Sequence, residues 1–248
     1  MRLTVDIGNS NILIGKGNDD ILETYRYTTD HNKSSDEYYI MLKHLFEDVD
    51  AVIIASVVPQ LNTVFKTFIT RYFDLTPIFV GPGIKTGVKI RTENPKEVGA
   101  DLVAGAAGAI ESYGQDAIII DMGTATTFTY LQNKQIKGVS ITIGLDSSRS
   151  CLISKASKLL QFEFEDPKHV LGTNTIDALN SGLLYGHANQ VMGIVEMIKK
   201  EYKTSQDIPV IMTGGAAKLI QSVLPTDYIF DDLLLLKGLN YIYKKNQA

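Results

Sequence analysis

The chain has 248 residues, 44% of them apolar and 21% charged, with a net charge of −4; this is the make-up of a globular protein with one large domain or two closely packed ones. Lys and Arg are scattered, and the pairs Lys199-Lys200 and Lys244-Lys245 read as solvated last turns of helices, so no nucleic-acid partner is expected. The N-terminal run Arg2-Leu3-Thr4-Val5 lacks the pattern of a signal peptide, and no apolar stretch reaches the ~20 residues that cross a bilayer. A single cysteine, Cys151, excludes an internal disulfide and reads as a packing residue. The expected location is cytoplasmic, with no membrane partner.

Leu3, Val5 and Ile7 alternate along a first strand, Ile12 and Ile14 mark a second, and Ile21 to Thr28 a third, which together predict an antiparallel meander. Ser34 or Ser35 caps a helix carrying Tyr39, Leu42 and Leu45-Phe46; Ala51 to Ser56 reads as a buried strand, followed by a helix to about Phe73 and a short strand at 78–80. A small-residue helix is expected from Ala100 to Ala109. From Ala117 the order recurs: strands at 117–122, 125–131 and 135–142, helices between about 146 and 203, a strand at 209–213, a helix at 215–223 and a last helix after Asp231-Asp232. Strands alternating with helices in a repeated order define an α/β chain built by duplication, with halves 1–114 and 115–248.

Two segments use one chemical device. DIGNSNILIG (6–15) and DMGTATTFTYL (121–131) each place a carboxylate at the end of an apolar run, then a Gly and small hydroxyl or amide residues, then a second β-rich run. The Gly lets backbone N–H groups approach a phosphate, and the Asp can hold Mg²⁺ through water. A lone copy would be an ordinary strand-ending turn. Two copies half a chain apart characterise the actin, hexokinase and Hsp70 type of ATPase, whose ribonuclease H-like halves present such turns to a central nucleotide cleft. Neither a Walker loop nor a G-x-G-x-x-G helix opening is present, so a P-loop and a dinucleotide fold are excluded.

The segments DIGNSNILIG, SVVP (56–59), GPGIKTGVKI (81–90), NPKEVGAD (94–101), DMGTATTF (121–128), GTNT…SGLLYG (172–186), TGGAA (213–217) and LLLLKGL (233–239) together resemble the type III pantothenate kinases. The resemblance implies an actin-like duplicated fold, a homodimer, and transfer of the ATP γ-phosphate to the hydroxyl of pantothenate in the first step of coenzyme A synthesis, with Mg²⁺ and a monovalent cation, K⁺ or NH₄⁺. It assigns Asp6, Gly8, Asn9 and Ser10 to the first phosphate turn and Asp121, Gly123, Thr124 and Thr126 to the second, with Asp6 and Asp121 as the metal carboxylates. Thr213, Gly214 and Gly215 match the adenosine segment. Asp101 matches the carboxylate that takes the proton from the attacking hydroxyl, and Gly99, Thr173 and Thr175 match positions near the acceptor. Residue by residue, other readings stay open: Asp101 as a helix-start charge held by its own backbone N–H groups, Thr173 and Thr175 as N-caps, Asn9 as a turn former. The expected dimer surface is the apolar run Ser181 to Ile198, which a buried helix within one chain would explain almost as well.

The departures from the family pattern gather on the acceptor side. Leu102 stands where an Arg is expected, Gly105 where an Asn is, Thr92 where an aromatic is, and the segment Gly138 to Gly144 lacks one Gly and, around Ile143, the Pro. Leu in place of Arg removes a bidentate carboxylate clamp, and Lys85, Lys89 and Arg91 read as solvated charges rather than replacements. Two alternatives to the family activity follow: a kinase for another small alcohol, and a non-catalytic ATP-binding regulatory paralogue.

Overall fold

A computed structural model describes residues 1–155 and 161–247. It divides into two compact units, the first containing residues up to Gln115, the short stretch Lys134–Ile136 and the chain from Leu233 onward, the second containing Asp116–Asn133 and Lys137–Asp232. In the first unit, β1 (Arg2–Ile7), β2 (Asn11–Gly17) and β3 (Ile21–Thr28) form the expected antiparallel meander. Helix α1 (Ser35–Leu42) begins with a capping box in which Ser34 accepts from the Glu37 N–H and the Glu37 side chain accepts from the Ser34 N–H. Strand β4 (Ala51–Ser56) pairs in parallel with β1, and after α2 (Pro59–Phe73) the short β5 (Ile78–Phe79) pairs in parallel with β4. One core collects Leu3, Val5, Ile7, Ile12 and Ile14 with Tyr38, Phe65 and Phe68. The unit also contains β6 (Lys89–Ile90) and α3 (Ala100–Ser112).

The second unit repeats this plan. Strand β7 (Ala117–Met122) pairs antiparallel with β8 (Ala125–Gln132), which is followed by β9 (Gln135–Ile143). Two helices, α4 (Leu145–Lys155) and α5 (Thr175–Tyr202), precede β10 (Val210–Thr213), which pairs in parallel with β7 and with β11 (Ile229–Phe230). The sheet orders β3-β2-β1-β4-β5 and β9-β8-β7-β10-β11 are the same order written twice, which bears out the duplicated α/β architecture. The opening of β9, which the first unit claims, pairs in parallel with β6.

Several local expectations are corrected. The expected helix at 215–223 is a 3-10 segment over Ala217–Val223, because the chain ahead of it is hooked back by the Ala216 N–H on the Met122 carbonyl (3.2 Å) and closes through i→i+3 bonds such as Leu219 to Ala216 (3.1 Å). Of the helical span expected at 146–203, residues 156–160 lie outside the described residues, and 161–174 form no helix. Cys151 is exposed rather than packed. Lys199 is buried, not solvated, and its ammonium donates to the Gln206 carbonyl at 3.2 Å. In the run expected to form a dimer surface, Leu184, Val191 and Val195 fill the unit's own core, with Leu183, Met192 and Ile198 packed against it; Met197 is exposed.

The last helix, α6 (Leu234–Gln247), belongs to the first unit, so that unit takes residues from Leu233 onward out of the expected half 115–248. The reason is close backbone packing. A Cβ on Gly238 would overlap the Ala104 carbonyl and stand 2.7 Å from the Gly108 nitrogen, and one on Gly108 would overlap the Leu234 carbonyl. The small residues of α3 therefore serve to let α6 lie directly on it, with Leu234, Leu235, Leu236 and Leu239 buried. This contact covers the second face of the first sheet: Thr4 is as buried as its apolar neighbours, and its Oγ1 donates to the Gly15 carbonyl at 3.2 Å. The one-face alternation expected for β1 gives way for that reason.

Candidate active site

The carboxyl end of β1 carries Asp6, half-buried, and leads into the turn Gly8–Ser10. The Gly8 N–H donates to the Asn11 carbonyl at 2.9 Å, which closes the turn, while Asn9 and Ser10 remain exposed. The loop after β3 holds the turn from outside: Thr29 Oγ1 donates to the Gly8 carbonyl (2.7 Å), the Thr29 N–H to the Ser10 carbonyl (3.0 Å), and His31 Nε2 to the Asn9 carbonyl (3.2 Å). Thr29 and His31 were not singled out from the sequence, since nothing local distinguishes them from other loop residues.

Asp101 lies at the same end of this sheet. The Val57 N–H, just past β4, donates to the Ile7 carbonyl at 3.1 Å, and a Cβ on Gly99 would meet Val57 Cγ1 at 3.5 Å and overlap Asp101 Oδ1. Gly99 thus leaves room for the carboxylate that follows it. Asp101 Oδ1 accepts from the Leu102 N–H at 2.8 Å, as the helix-start reading expects. Burial nevertheless pushes the carboxyl pKa up, against the opposing backbone bonds from Leu102 and Asp101 itself. A desolvated carboxylate of raised basicity at a helix start can take a proton from a hydroxyl. Gly105 is buried and faces Leu235 of α6, Thr92 Oγ1 is buried without a hydrogen-bond partner, and Lys85, Lys89 and Arg91 are exposed.

In the second unit, Asp121 sits at the end of β7 between Thr213 of β10 and Thr127 of β8, its direct partners in the two ladders. The turn that follows is built from bare backbone. The Gly123 N–H donates to the Ala125 carbonyl (3.0 Å), and the exposed Thr124 gives its carbonyl to both the Gly144 N–H (3.0 Å) and Ser147 Oγ (2.7 Å). A Cβ on Gly144 would overlap the Gly123 carbonyl and stand 2.6 Å from that of Thr124. Gly214, at φ +91°, approaches as closely from the other side: a Cβ there would overlap Asp121 Oδ1 and stand 2.6 Å from the Met122 nitrogen. Thr213 is buried, Gly214 half-buried and Gly215 exposed, so the TGGAA segment brings backbone against the Asp121 strand end. Further out, His187 of α5 is hydrogen-bonded to the Ile143 backbone; burial pushes its pKa down, opposed by that bond.

Three of the expected site residues are placed differently from the rest. Thr126 pairs with Met122, is fully buried and points to the core face of the sheet, opposite to Asp121. Thr173 is exposed just ahead of α5 and Thr175 is its exposed first residue; Asn174 between them is the N-cap and accepts from the Asp177 N–H at 3.0 Å, so neither threonine is the cap.

Among the described residues no group of three or more His, Cys, Asp and Glu forms a ready metal centre. Mg²⁺ is held by one or two carboxylates together with phosphate oxygens and water; each unit offers one candidate carboxylate beside its glycine turn, Asp6 in the first and Asp121 in the second. Among the described residues no helix is long and apolar enough to cross a membrane.

Two sheets that share a five-strand order, each with an Asp-x-Gly turn after its central strand, make up a duplicated α/β fold of the actin-like class. Solved structures agree with this fold: a Campylobacter jejuni protein assigned to the Baf family of transcriptional activators (TM-score 0.61, 19% identity, 99% of this chain and 98% of that one) and a ROK family glucokinase from Streptomyces griseus in complex with glucose and AMPPNP (TM-score 0.51, 13% identity, 99% and 100%). A family model for type III pantothenate kinase matches residues 2–197, and the type III pantothenate kinase of Halalkalibacterium halodurans is 43% identical over 255 aligned positions, covering 99% of this chain and 100% of that protein. The chain belongs to the type III pantothenate kinase family.

Proposed function

We propose that this chain transfers the γ-phosphoryl group of ATP to the hydroxyl of pantothenate, giving 4'-phosphopantothenate, and that it does so in the cytoplasm. The observation that carries the acceptor half of this reading is Asp101, a desolvated carboxylate at a helix start, at the same end of the first sheet as the Gly8 turn. Asp101 takes the proton from the acceptor hydroxyl as its oxygen bonds to phosphorus and the bond to the leaving ADP oxygen breaks. Backbone N–H groups of Gly8, Asn9 and Ser10, and of Gly123 and Thr124, bind phosphate oxygens. Asp6 and Asp121 are the carboxylates that would serve Mg²⁺, whose charge would offset that of the phosphates. Thr213, Gly214 and Gly215 receive the nucleoside, Gly99, Thr173 and Thr175 serve the acceptor, and a monovalent cation, K⁺ or NH₄⁺, is required.

Leu102 supports a second reading, in which the acceptor is a less anionic small alcohol, because no guanidinium stands beside Asp101 in the sequence to hold a carboxylate. ATP turnover with pantothenate, Mg²⁺ and K⁺, set against a panel of related alcohols, separates the two; turnover of another alcohol with pantothenate inert would replace the first reading by the second. Asp101→Asn is expected to lower turnover about 10²-fold or more while ATP still binds. Unchanged turnover in that variant would remove Asp101 from the chemistry.

The active form in this reading is a homodimer. With the 181–198 run absorbed by the core, the support moves to the apolar side chains that the second unit leaves exposed: Ile141, Ile143, Leu152, Val170, Leu171 and Ile176. Light scattering at micromolar concentration should give twice the chain mass, and a monomer there would sink this part of the proposal.

A further inference from the structure

The ladder register separates two neighbouring threonines that the DMGTATTF pattern leaves equivalent. Thr126 faces Met122, and Thr127 faces Asp121. Directly opposed residues of an antiparallel pair share a face, with Cβ atoms about 4.5–5.5 Å apart, and successive residues point to opposite faces. Since Thr213 is the partner of Asp121 on the other side, one face carries the row Thr213, Asp121, Thr127 across three strands. The other face carries Met122, Phe128 and Tyr130 into the apolar core.

The hydroxyl of Thr127 has nothing to bind. Its Oγ1 is shut off from solvent and has no hydrogen-bond partner, although Asp121 stands across the ladder from it. A buried hydroxyl in that condition is destabilising, and a valine of the same shape would relieve the cost. The arrangement becomes favourable only when something polar arrives on the Asp121 face. Phosphate oxygens are strong acceptors, and a threonine hydroxyl is free to rotate toward one.

We propose that Thr127, and not Thr126, adds a side-chain hydroxyl from β8 to the nucleotide site beside the second turn, donating through Oγ1 to a phosphate oxygen of the Mg²⁺-bound triphosphate. This rests on the reading of Asp121 as a nucleotide-site carboxylate, and it adds a contact that the sequence pattern assigns to the adjacent residue. The unpartnered hydroxyl of Thr126 is then a feature of the core alone.

Calorimetric titration with Mg²⁺ and a non-hydrolysable ATP analogue, alongside thermal melts of the ligand-free protein, tests the assignment on Thr127→Val, Thr127→Ser and Thr126→Val. Thr127→Val should weaken analogue binding about 10-fold or more, the worth of a hydrogen bond to a charged group, while the ligand-free Tm holds or rises. Thr127→Ser should bind within about 3-fold of the parent, and Thr126→Val should leave binding unchanged, since its hydroxyl is on the other face. Parent-like binding by Thr127→Val, or a loss confined to Thr126→Val, would overturn the inference while leaving the kinase reading in place. A lower ligand-free Tm in Thr127→Val with proportionate loss of binding would show a structural role and overturn it as well. A parent protein that binds no nucleotide would overturn the kinase reading and this inference together.

Discussion

The first unit braces its turn with hydrogen bonds from a neighbouring loop, whereas the second seats its turn against the close backbone of glycines, with one side-chain bond from Ser147 beside them. Around Gly8 the contacts come from Thr29 and His31, polar groups that reach in from outside, and a Cβ on Gly8 would meet a single atom, the Asn11 carbonyl, at 3.1 Å. Around Gly123 and Thr124 the Gly144 N–H and Ser147 Oγ hold the Thr124 carbonyl, and Gly144 presses so closely on the turn, as Gly214 does on Asp121 and Met122 ahead of it, that a side chain has no room at either glycine. Both units use the same strand order, so the difference does not come from topology. It teaches that a duplicated fold can keep the position of a phosphate turn while exchanging the means of holding it: an adjustable set of bonds in one copy, a fixed steric seat in the other.

The largest expected effect follows from that seat. Gly144→Ala places a methyl group against the Gly123 and Thr124 carbonyls, which belong to backbone and cannot swing away, so it should destabilise the protein by about 2–4 kcal/mol and abolish nucleotide binding. Gly8→Ala requires a shift of a few tenths of an ångström at one carbonyl and should cost less than about 1 kcal/mol. Urea unfolding of both variants checks the contrast. Equal losses would mean that the two turns are held alike.

A smaller effect separates the units by charge. The Asp101 carboxyl is raised by burial, so in the folded state its proton is bound more tightly than in the unfolded chain. A group raised in this way favours folding below its unfolded pKa, and that contribution is lost as pH rises through the folded value. At pH 7 the raised Asp101 carboxyl therefore opposes folding, and Asp101→Asn should raise Tm even as it removes activity. The gain should shrink as pH falls toward 3.8, where the unfolded carboxyl takes up its proton. A lower Tm for Asp101→Asn at pH 7 would show that the carboxylate is favourably bound in the first unit and would remove the argument from desolvation. For His187, in the second unit, burial acts in the other direction and pushes the pKa down.

Much of this was legible in the chain because it depends on short-range pattern. The meander, the Ser34 cap, the two Asp-x-Gly turns and the repeated element order follow from alternation, capping chemistry and spacing, all of which act within a few residues. What was not legible depends on partners far away in sequence. The small residues of α3 read as a helix of low bulk, and only α6, more than a hundred residues later, explains Gly108 by resting Gly238 against that helix. The apolar stripe on α5 could not say whether it faced its own core or a second copy, and Leu184, Val191 and Val195 turn out to face the core. Lys199 looked like a last-turn charge until the Gln206 carbonyl supplied its partner. In the turns themselves, the choice between Thr126 and Thr127 required the β7–β8 register, because a one-residue change exchanges the faces.

The smallest expected effect tests whether the first turn is as adjustable as its contacts suggest. Thr29 is buried, and its hydroxyl donates to the Gly8 carbonyl at 2.7 Å while its N–H donates to the Ser10 carbonyl at 3.0 Å. Thr29→Val removes the first bond and keeps the second, with almost no change in shape. The loss should be that of one hydrogen bond with a carbonyl left unsatisfied, about 1 kcal/mol in stability. The bond also orients the peptide between Gly8 and Asn9, whose N–H is among those offered to phosphate, so KM for ATP should rise about 3-fold while kcat stays near the parent value, the mark of a contact that serves ground state and transition state alike. Because the N–H of Thr29 and the imidazole of His31 still hold Ser10 and Asn9, the turn has the means to keep its form. A collapse of nucleotide binding in Thr29→Val would show the first turn to be as rigidly seated as the second, and the contrast between the two copies would then lie in the kind of contact alone.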